Sequence, residues 1–232
     1  MIPARAGSKG LPGKNLRMLA GLPLVMHSVL CARKCSIIDR VVVSTDSIST
    51  ADLVRSYGTE VPFLRPAELA EDTTPMWPVV QHALGEAERI DDCRYEAVLL
   101  LDPTSPGRLP SDINEAVRLL NESPRCDGVV GVSRPDFNPY WHCVVEEGGL
   151  MVDLIPGAAG FTRRQELPTV YCINATVYCW RRDFVVRAPN WRLGRLKLHR
   201  VPEERAFHID EASQFDLLEL RLRQGELKFP WL

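Results

Sequence analysis

Unbroken apolar runs constrain the fold of this chain more than any other feature of its sequence. The runs lie at Arg40–Thr45, which contains three consecutive valines, at Ala97–Leu101 and at Gly128–Val132. A strand with one face in water alternates apolar and polar residues, whereas a continuous apolar run indicates a strand that is covered on both faces. The sequence therefore predicts a sheet buried between two layers of other elements.

Segments with helical periodicity separate these runs, which is the order expected of an α/β domain. The segments are Pro23–Cys35, Ser47–Tyr57, Pro78–Ile90 and Ser111–Asn121. Strands that alternate with helices favour a mostly parallel sheet in a three-layer α/β architecture. We expect Ser111 to be the N-cap of the last of these helices, because its hydroxyl can accept a backbone hydrogen bond.

Residues 134–170 interrupt the alternation. Prolines recur through this stretch, which also contains Gly148-Gly149. Regular structure is predicted to resume with a strand at Val170–Trp180 and to finish with a helix at Ala212–Gln224. A chain of 232 residues is long enough for one sizeable domain. We therefore predict a single domain over residues 1–232, with 134–170 as an irregular arm inserted within it.

Charge, hydropathy and cysteine usage argue against several classes of protein. Lys and Arg number 28 against 30 Asp and Glu, and the net charge of −2 does not favour a nucleic-acid or anionic-membrane surface. No apolar run approaches the ~18 residues of a membrane span, and the first residues do not resemble a signal peptide. The seven cysteines form no Cys-x-x-Cys, so neither a disulfide framework nor a zinc site is favoured. A cytoplasmic protein is expected.

The segment Arg5–Asn15 is the most informative part of the sequence for function. It combines three glycines with one arginine and two lysines, directly after a short strand predicted at the N-terminus. Glycines allow successive backbone N–H groups to face a ligand, and the cations neutralise a polyphosphate. The spacing matches neither the Walker A pattern nor G-x-G-x-x-G. Phosphate binding at the carboxyl end of the first strand is favoured over a flexible basic loop without a ligand.

Six blocks that follow one another along nearly the whole chain resemble a known family. They are Ile2–Asn15, Arg40–Asp46, Val61–Ala70, Pro103–Pro106, Arg163–Pro168 and Ile209-Asp210. In these blocks and in their order the chain is similar to the acylneuraminate cytidylyltransferases, also called CMP-sialic acid synthetases. One such block could match by chance, but several in family order could not.

The resemblance implies a Rossmann-like nucleotidyltransferase fold, related to the glycosyltransferase A fold. It also implies a homodimer in which the arm at 134–170 reaches the active site of the neighbouring subunit. The implied reaction transfers CMP from CTP to the anomeric hydroxyl of a sialic-acid-like nonulosonic acid and releases pyrophosphate. Mg²⁺ or Mn²⁺ is the implied cofactor, and neither nucleic acid nor membrane is expected as a partner.

The resemblance also assigns roles to individual residues. Those implied to bind CTP are Arg5, Ala6, Gly7, Ser8, Lys9, Asn15, Arg65, Thr74, Asp102, Thr104 and Ser105. Those implied to act in catalysis are Arg5 and Lys14, which stabilise charge as pyrophosphate leaves, and Asp210, which ligates the metal ion. Those implied to bind the acceptor are Arg163, Arg164 and Gln165.

The sequence departs from the family pattern at two positions near the implied metal site. Asp102 stands where the family commonly has Gln, and His208 stands where it has the first Asp of an Asp-Ile-Asp motif. Imidazole is a poor ligand for Mg²⁺, which prefers hard oxygen donors. We therefore hypothesise that Asp102 supplies the second metal carboxylate beside Asp210.

Three further departures bear on the acceptor. Gly107 replaces a usual Leu, Cys172 replaces an Arg found in bacterial relatives, and Ala175 replaces the Gly of an Asn-Gly pair. An acceptor with eight carbons would offer the same carboxylate and anomeric hydroxyl as a nine-carbon acid, so this alternative stays open. A non-catalytic protein that binds a nucleotide or sugar acid also stays open, although the intact phosphate loop and Asp210 favour an enzyme.

Overall fold

The computed structural model describes residues 1–7 and 10–232. Its strands are β1 (Ile2–Pro3), β2 (Met18–Leu19), β3 (Leu22–Pro23), β4 (Val43–Ser44), β5 (Ala97–Leu100), β6 (Gly128–Ser133), β7 (Val144–Glu147), β8 (Leu150–Asp153), β9 (Cys172–Arg181) and β10 (Leu196–Arg200). Its α-helices are α1 (Leu24–Arg33), α2 (Ile48–Ser56), α3 (Met76–Asp91), α4 (Pro110–Asn121), α5 (Pro139–His142), α6 (Arg182–Arg187) and α7 (Ala212–Arg223). Ser8 and Lys9, both predicted to bind CTP, lie outside the described residues.

The central sheet is mostly parallel, as the sequence predicts. Four strands pair in the order β10-β6-β9-β5, in which β10 runs parallel to β6 and β9 runs antiparallel to both of its neighbours. The parallel pair β1–β4 joins this sheet through Met1, whose amine donates to Leu99 O at 2.8 Å and whose carbonyl accepts from Leu101 N at 3.1 Å. This alternation of donor and acceptor is that of parallel strands, so β9 alone runs against the direction of the others.

Two apolar clusters cover the two faces of the sheet and give the three layers. Alternate residues of β5 reach opposite clusters, because successive side chains of a strand point to opposite faces. Val98 and Leu100 pack with α3 and α6 through Trp77 and Phe184. Ala97 and Leu99 pack with the cluster that includes residues of α1, α2 and α4.

The predicted strands and helices are found within a few residues of their predicted bounds, with two differences, while β2, β3, α6 and β10 are not predicted by the sequence analysis. The strand predicted at Arg40–Thr45 is reduced to β4, because its partner β1 offers only two residues for pairing. Ser111 is not the N-cap of α4, so that prediction is wrong. Leu109 occupies the cap with Pro110 at the first helical position, and the Asp112 carboxylate accepts from Leu109 N at 2.7 Å. Pro110 suits that position, since its fixed φ is helical and it has no N–H to satisfy.

The arm at 134–170 contains more regular structure than its sequence suggests. It includes α5 and the antiparallel hairpin β7–β8, which turns at Gly148 and Gly149 with φ of 60° and 81°. Its apolar side chains face outward: Phe137 is 66% exposed, Leu150 72% and Met151 73%. The arm therefore presents an apolar surface that its own subunit does not cover.

A third apolar cluster ties the C-terminal part of the chain to the N-terminal loop. Leu11 and Leu19 pack with Ile209 and Phe215, at the start of α7, and with Phe229 near the C-terminus. Because this cluster includes both Leu11 and Ile209, it holds together two segments that are distant in sequence. Of the helices within residues 1–7 and 10–232, none combines the length and apolar character that a membrane span needs.

Candidate active site

The residues predicted to carry the chemistry converge at the carboxyl ends of three strands. Arg5 follows β1, Asp46 follows β4 and Asp102 follows β5. Ligands of open α/β sheets bind at this edge. A cavity of about 680 Å³ lies at the opposite edge, lined by residues such as Ile38 and Tyr95 that precede β4 and β5, and it contains none of the predicted site residues.

The N-terminal loop is held in place by side chains from two elements. Asp46 accepts a hydrogen bond from Ala6 N at 2.9 Å. The buried Asn15 donates from Nδ2 to Arg5 O at 3.1 Å. The loop turns at Gly13, whose φ of 67° lies in the left-handed region that favours glycine. These bonds hold the backbone of Arg5 and Ala6, which follows β1.

Arg5 and Lys14 each face a carboxylate. Arg5 Nη1 lies 2.8 Å from Asp72 Oδ1. Lys14 Nζ lies 3.1 Å from Asp210 Oδ1 and donates to Ile209 O at 3.0 Å, with only 13% of its side chain exposed. Each of the two cations on this loop is thus paired with a carboxylate, and such cations can also form charge-assisted hydrogen bonds to a phosphate.

A continuous chain of polar contacts joins the two carboxylates of the predicted metal site. Asp102 Oδ1 accepts from Thr104 N at 3.0 Å and from Thr104 Oγ1 at 2.9 Å. Thr104 Oγ1 lies 3.4 Å from His208 Nδ1, and His208 Nε2 lies 3.1 Å from Asp210 Oδ2. Asp210 then contacts Lys14. His208 therefore bridges the 102–104 loop to Asp210.

The surroundings of Asp210 favour its ionised form. Partial burial alone would raise the pKa of this carboxyl group, but the hydrogen bond from Lys14 and the adjacent His208 lower it by more. The pKa of Asp210 consequently lies below its ordinary value. An ionised carboxylate with 58% of its side chain exposed is available as a ligand for a cation.

The pair Asp102 and Asp210 suits a hard divalent cation. Within the described residues, the carboxylate hydrogen bonds of Asp102 all go to Oδ1. Among the same residues no three His, Cys, Asp or Glu side chains form a preassembled metal site. Mg²⁺ commonly takes one or two protein carboxylates and completes its shell with substrate phosphates and water. The donor set therefore fits a cation that arrives together with a nucleotide.

Besides Asn15 and Thr104, three further predicted CTP-binding side chains are engaged with the protein itself. Arg65 is 4% exposed and donates from Nε and Nη2 to Ser44, at 3.1 and 2.6 Å. Its burial lowers its pKa. Ser105 Oγ donates to Asn174 O at 2.9 Å, and Thr74 Oγ1 donates to Glu68 O at 2.8 Å. These side chains support the backbone around the site.

The predicted acceptor-binding residues lie on the arm, apart from this network. Arg163 pairs with Glu166 three residues further on. Arg164 and Gln165 are exposed within the short 3₁₀-helix Arg164–Glu166. Contacts within the described residues thus link Lys14 to Asp210 and, through His208 and Thr104, to Asp102, whereas Arg5 pairs with Asp72 and the arm residues are not part of this network.

Sequence reasoning missed two residues that shape the site. Asp72, which pairs with Arg5, lies in a segment without a recognisable motif, so no local signal identified it. Arg108 is 1% exposed and donates to Asp102 O at 2.7 Å and to Ser28 Oγ at 2.7 Å. A fully buried arginine is rare unless its charge is satisfied, so its place five residues after Pro103, which follows the end of β5, was a signal that the loop needs internal support.

Comparison with known proteins agrees with this geometry. The profile of a family described as cytidylyltransferase matches residues 1–126, which include the N-terminal loop and the 102–105 loop. Post-translational flagellin modification protein B of Campylobacter coli is 31% identical over 227 residues, 98% of this chain and 95% of that protein. CMP-N,N'-diacetyllegionaminic acid synthase of Campylobacter jejuni is 32% identical over 218 residues, 94% of this chain and 92% of that protein.

A solved structure shares the fold. A CMP:2-keto-3-deoxy-manno-octonic acid synthetase complexed with CTP superposes with a TM-score of 0.74, at 16% identity, over 97% of each chain. At this identity the likeness shows the fold alone, and it confirms the predicted Rossmann-like nucleotidyltransferase architecture. The family match and the two full-length relatives confirm the resemblance read from the sequence blocks. This chain belongs to the cytidylyltransferase family.

Proposed function

We propose that this chain transfers CMP from CTP to the anomeric hydroxyl of a nonulosonic acid and releases pyrophosphate. The observation that carries the proposal is the convergence of Lys14, Asp102 and Asp210, which are joined through Thr104 and His208 at the carboxyl ends of the strands. These contacts link a cation to the two carboxylates that we propose hold the metal ion, and a nucleoside triphosphate with its metal ion requires both kinds of group. The legionaminic acid synthase of C. jejuni supports a nine-carbon acid as the acceptor.

The reaction forms one bond and breaks another at the α-phosphorus of CTP. The acceptor's anomeric oxygen bonds to phosphorus, the bond to the bridging oxygen of pyrophosphate breaks, and the hydroxyl proton passes to solvent. Arg5 and Lys14 lie where they can neutralise the charge that collects on the departing pyrophosphate. No covalent enzyme intermediate is needed, since positioning and charge neutralisation account for catalysis in phosphoryl transfer.

Asp102 and Asp210 would hold the divalent cation, with Mg²⁺ as the physiological choice and Mn²⁺ as a substitute. Such a cation, when bound, polarises phosphate oxygens and offsets their charge. His208 is a poor oxygen-site ligand and is proposed instead to hold Asp210 in place through its contact at 3.1 Å. Thr104 holds Asp102 in the same way.

We further propose that two copies of the chain assemble through the arm. Leu150 and Met151 are more than 70% exposed in one subunit, and exposed apolar patches of this kind mark interfaces. A second copy would bring Arg163, Arg164 and Gln165 to the nucleotide end of its partner. Sedimentation analysis should give a dimer for the wild type and a monomer for Met151→Asp, whereas Leu193→Asp, at a position 71% exposed outside the arm, should stay dimeric.

Pyrophosphate release tests the reaction. Purified protein is incubated with Mg²⁺ and each of the four nucleoside triphosphates, against a panel of N,N'-diacetyllegionaminic acid, N-acetylneuraminic acid and an eight-carbon ulosonate. Release with CTP and a nine-carbon acid is the expected result. Release with the eight-carbon acid alone would favour the alternative suggested by the structural neighbour. Tight CTP binding without release for any acid would favour the non-catalytic alternative.

A further inference from the structure

The segment Arg205–Asp210, which carries His208 and Asp210, is seated on two glycines. A methyl group at Gly107 would lie 2.1 Å from Arg205 O and 3.0 Å from its carbonyl carbon. A methyl group at Gly10 would lie 2.4 Å from Asp210 O. Both obstacles are backbone atoms, so rotation of a side chain could not relieve them. Any larger residue at either position would push the segment away from its present place.

A buried ion pair fixes the start of the same segment. Arg205 donates to both oxygens of Asp112, at 2.5 and 3.0 Å, and to Gly107 O at 3.2 Å. Asp112 is 3% exposed and also contacts His199 Nε2 at 3.1 Å. Bidentate arginine–carboxylate pairs fix orientation as well as distance. Arg205 is thus anchored to α4 directly beside the close contact at Gly107.

The anchored segment lies in a definite register against the 102–104 loop. Ile209 N donates to Thr104 O at 2.8 Å. This bond sets Ile209 opposite Thr104. The preceding residue, His208, then lies beside Thr104 Oγ1, and Asp210 follows on the other side of Ile209. The distance between the two metal-binding carboxylates therefore depends on how closely the segment approaches the loop.

We infer that Gly107, Gly10 and Arg205 are positioning residues that set the geometry of the Asp102–Asp210 pair. The inference rests on the proposed function for the identity of the cation site. Gly107 is one of the residues at which the chain departs from the family pattern, and so are Asp102 and His208. The three departures act together. Because Gly107 has no side chain, the segment Arg205–Asp210 can approach the 102–104 loop. This approach brings His208 and Asp210 toward Asp102.

The test compares Gly107→Ala with Gly85→Ala as a matched control. Gly85 lies in α3 with no atom within 4 Å of an added methyl group, so alanine is tolerated there. Gly107→Ala must displace the Arg205 backbone by about 1 Å, and misplacement on this scale can cost about 10²-fold in rate. The main readout is Mn²⁺ binding in the presence of CTP, followed by electron paramagnetic resonance, with CTP binding in metal-free buffer as the reference.

Gly107→Ala is expected to weaken Mn²⁺ binding at least tenfold and to leave metal-free CTP binding within about twofold of wild type. Gly10→Ala should weaken Mn²⁺ binding as well, together with CTP binding, because Gly10 belongs to the phosphate loop. Gly85→Ala should change neither quantity. Equal Mn²⁺ affinity in wild type and in folded Gly107→Ala would overturn the inference. If Gly107→Ala does not fold, Arg205→Lys decides in the same way, because it removes the bidentate pair and retains the charge; Arg118→Lys on the surface of α4 is its control.

Mn²⁺ binding and pyrophosphate release can fail independently of each other, so the positioning role and the proposed reaction are tested separately. Wild-type protein that binds Mn²⁺ and CTP but releases no pyrophosphate with any acid would contradict the proposed reaction. The ratio of Mn²⁺ affinities between wild type and Gly107→Ala would still decide the positioning role in that case. Wild type that fails to bind Mn²⁺ together with CTP would overturn both.

Discussion

The nucleotide end of the molecule and its arm differ in whether their side chains are contacted by the rest of the chain or exposed. The nucleotide end consists of Arg5, Lys14, Asp102, His208 and Asp210, which contact one another or a neighbouring side chain of the same subunit. The arm, residues 134–170, instead exposes its apolar side chains and the arginines predicted to bind the acceptor. The side chains of the nucleotide end are thus paired within one chain, whereas we propose that the acid half of the site is completed only when a second copy covers the arm.

The difference has an energetic basis. An isolated two-stranded hairpin is at best marginally stable in water, and among the strands of residues 1–7 and 10–232 β7 and β8 pair only with each other. The nucleotide end is backed by the sheet, by the cluster around Ile209 and by the buried pair of Asp112 and Arg205. A mutation at the nucleotide end should therefore act within its own subunit, whereas a mutation in the arm should act through assembly.

Loss of the cation at position 14 should have the largest effect. Lys14→Met removes a charge that is held against Asp210, and deletion of one preorganised electrostatic group typically lowers the rate about 10²–10³-fold. The measurement is CTP-dependent pyrophosphate release at saturating acid. Lys34→Met removes an exposed lysine beyond α1 and should leave the rate near that of wild type. A Lys14→Met rate above about a tenth of wild type would remove Lys14 from catalysis.

A smaller and different effect is expected in the arm. Arg164→Ala should raise the KM for the acid about 10–100-fold, since a hydrogen bond to a charged group is worth about 1.5–3 kcal/mol. The KM for CTP and the thermal unfolding midpoint should stay the same, because Arg164 is exposed. Arg55→Ala, which removes an exposed arginine of α2, is the control. An unchanged KM for the acid would contradict the acceptor role of Arg164.

Mixed dimers sharpen this comparison. If the arm serves the neighbouring subunit, a dimer of one Lys14→Met chain and one Arg164→Ala chain has one doubly impaired site and one intact site. Random assembly at equal concentrations should then restore about a quarter of the wild-type activity. If Arg164 acts within its own subunit, every site carries one defect and mixing restores nothing.

The sequence predicts the nucleotide end better than the arm for a physical reason. The runs at Ala97–Leu101 and Gly128–Val132 are apolar on both faces, and such a pattern fits few structures other than a buried strand. The phosphate loop is identified by glycines and cations that act within one short segment, so the sequence of that segment is enough to recognise it. The order of the strands is not local, and nothing in Cys172–Arg181 indicates that β9 inserts antiparallel between β5 and β6.

The misses have equally specific causes. Ser111 has the chemistry of an N-cap, yet Pro110 at the first helical position places the cap at Leu109, two residues earlier. The Gly148-Gly149 pair is a known signal for a tight hairpin turn, and it was outweighed by the prolines around it. Contacts such as Arg5–Asp72 and Arg205–Asp112 join residues that are far apart in sequence, so composition and spacing carry no trace of them.

Low pH should remove the stability that the pair of Asp112 and Arg205 contributes beside the nucleotide end. Burial alone would raise the pKa of Asp112, but hydrogen bonds from His199, Arg205 and Leu109 N outweigh it and hold the pKa well below its usual range. Ionised Asp112 thus contributes stability above the ordinary carboxyl pKa of about 3.9, and this contribution is lost as the pH falls below that value. At pH 6 the free energy of unfolding of wild type should exceed that of Asp112→Asn by on the order of 2 kcal/mol.

Urea unfolding at pH 6 and at pH 3 checks this expectation. The difference in free energy of unfolding between wild type and Asp112→Asn should shrink at the lower pH, because the Asp112 carboxyl group of the unfolded chain is then largely protonated while that of the native chain is still ionised. Asp52→Asn, in an exposed pair with Arg55, should show a difference near zero at both values. If the difference in free energy of unfolding between wild type and Asp112→Asn does not vary with pH, the ionisation of Asp112 is not what stabilises the fold.

The smallest effect is expected where the chain returns from the arm to the sheet. Ala175 in β9 has a φ of 54°, beside the irregular pairing of β6 and β9 between Val130 and Val132. The left-handed region costs an L-residue with a Cβ about 1–2 kcal/mol, while glycine loses more entropy on folding by roughly 0.5–1 kcal/mol. Ala175→Gly should therefore stabilise the protein by about 0.5–1 kcal/mol, a rise in Tm of about 1–4 °C. Ala212→Gly, in the first turn of α7, should shift Tm the opposite way, and a fall in Tm for both variants would show that the strain at Ala175 is relieved by its neighbours.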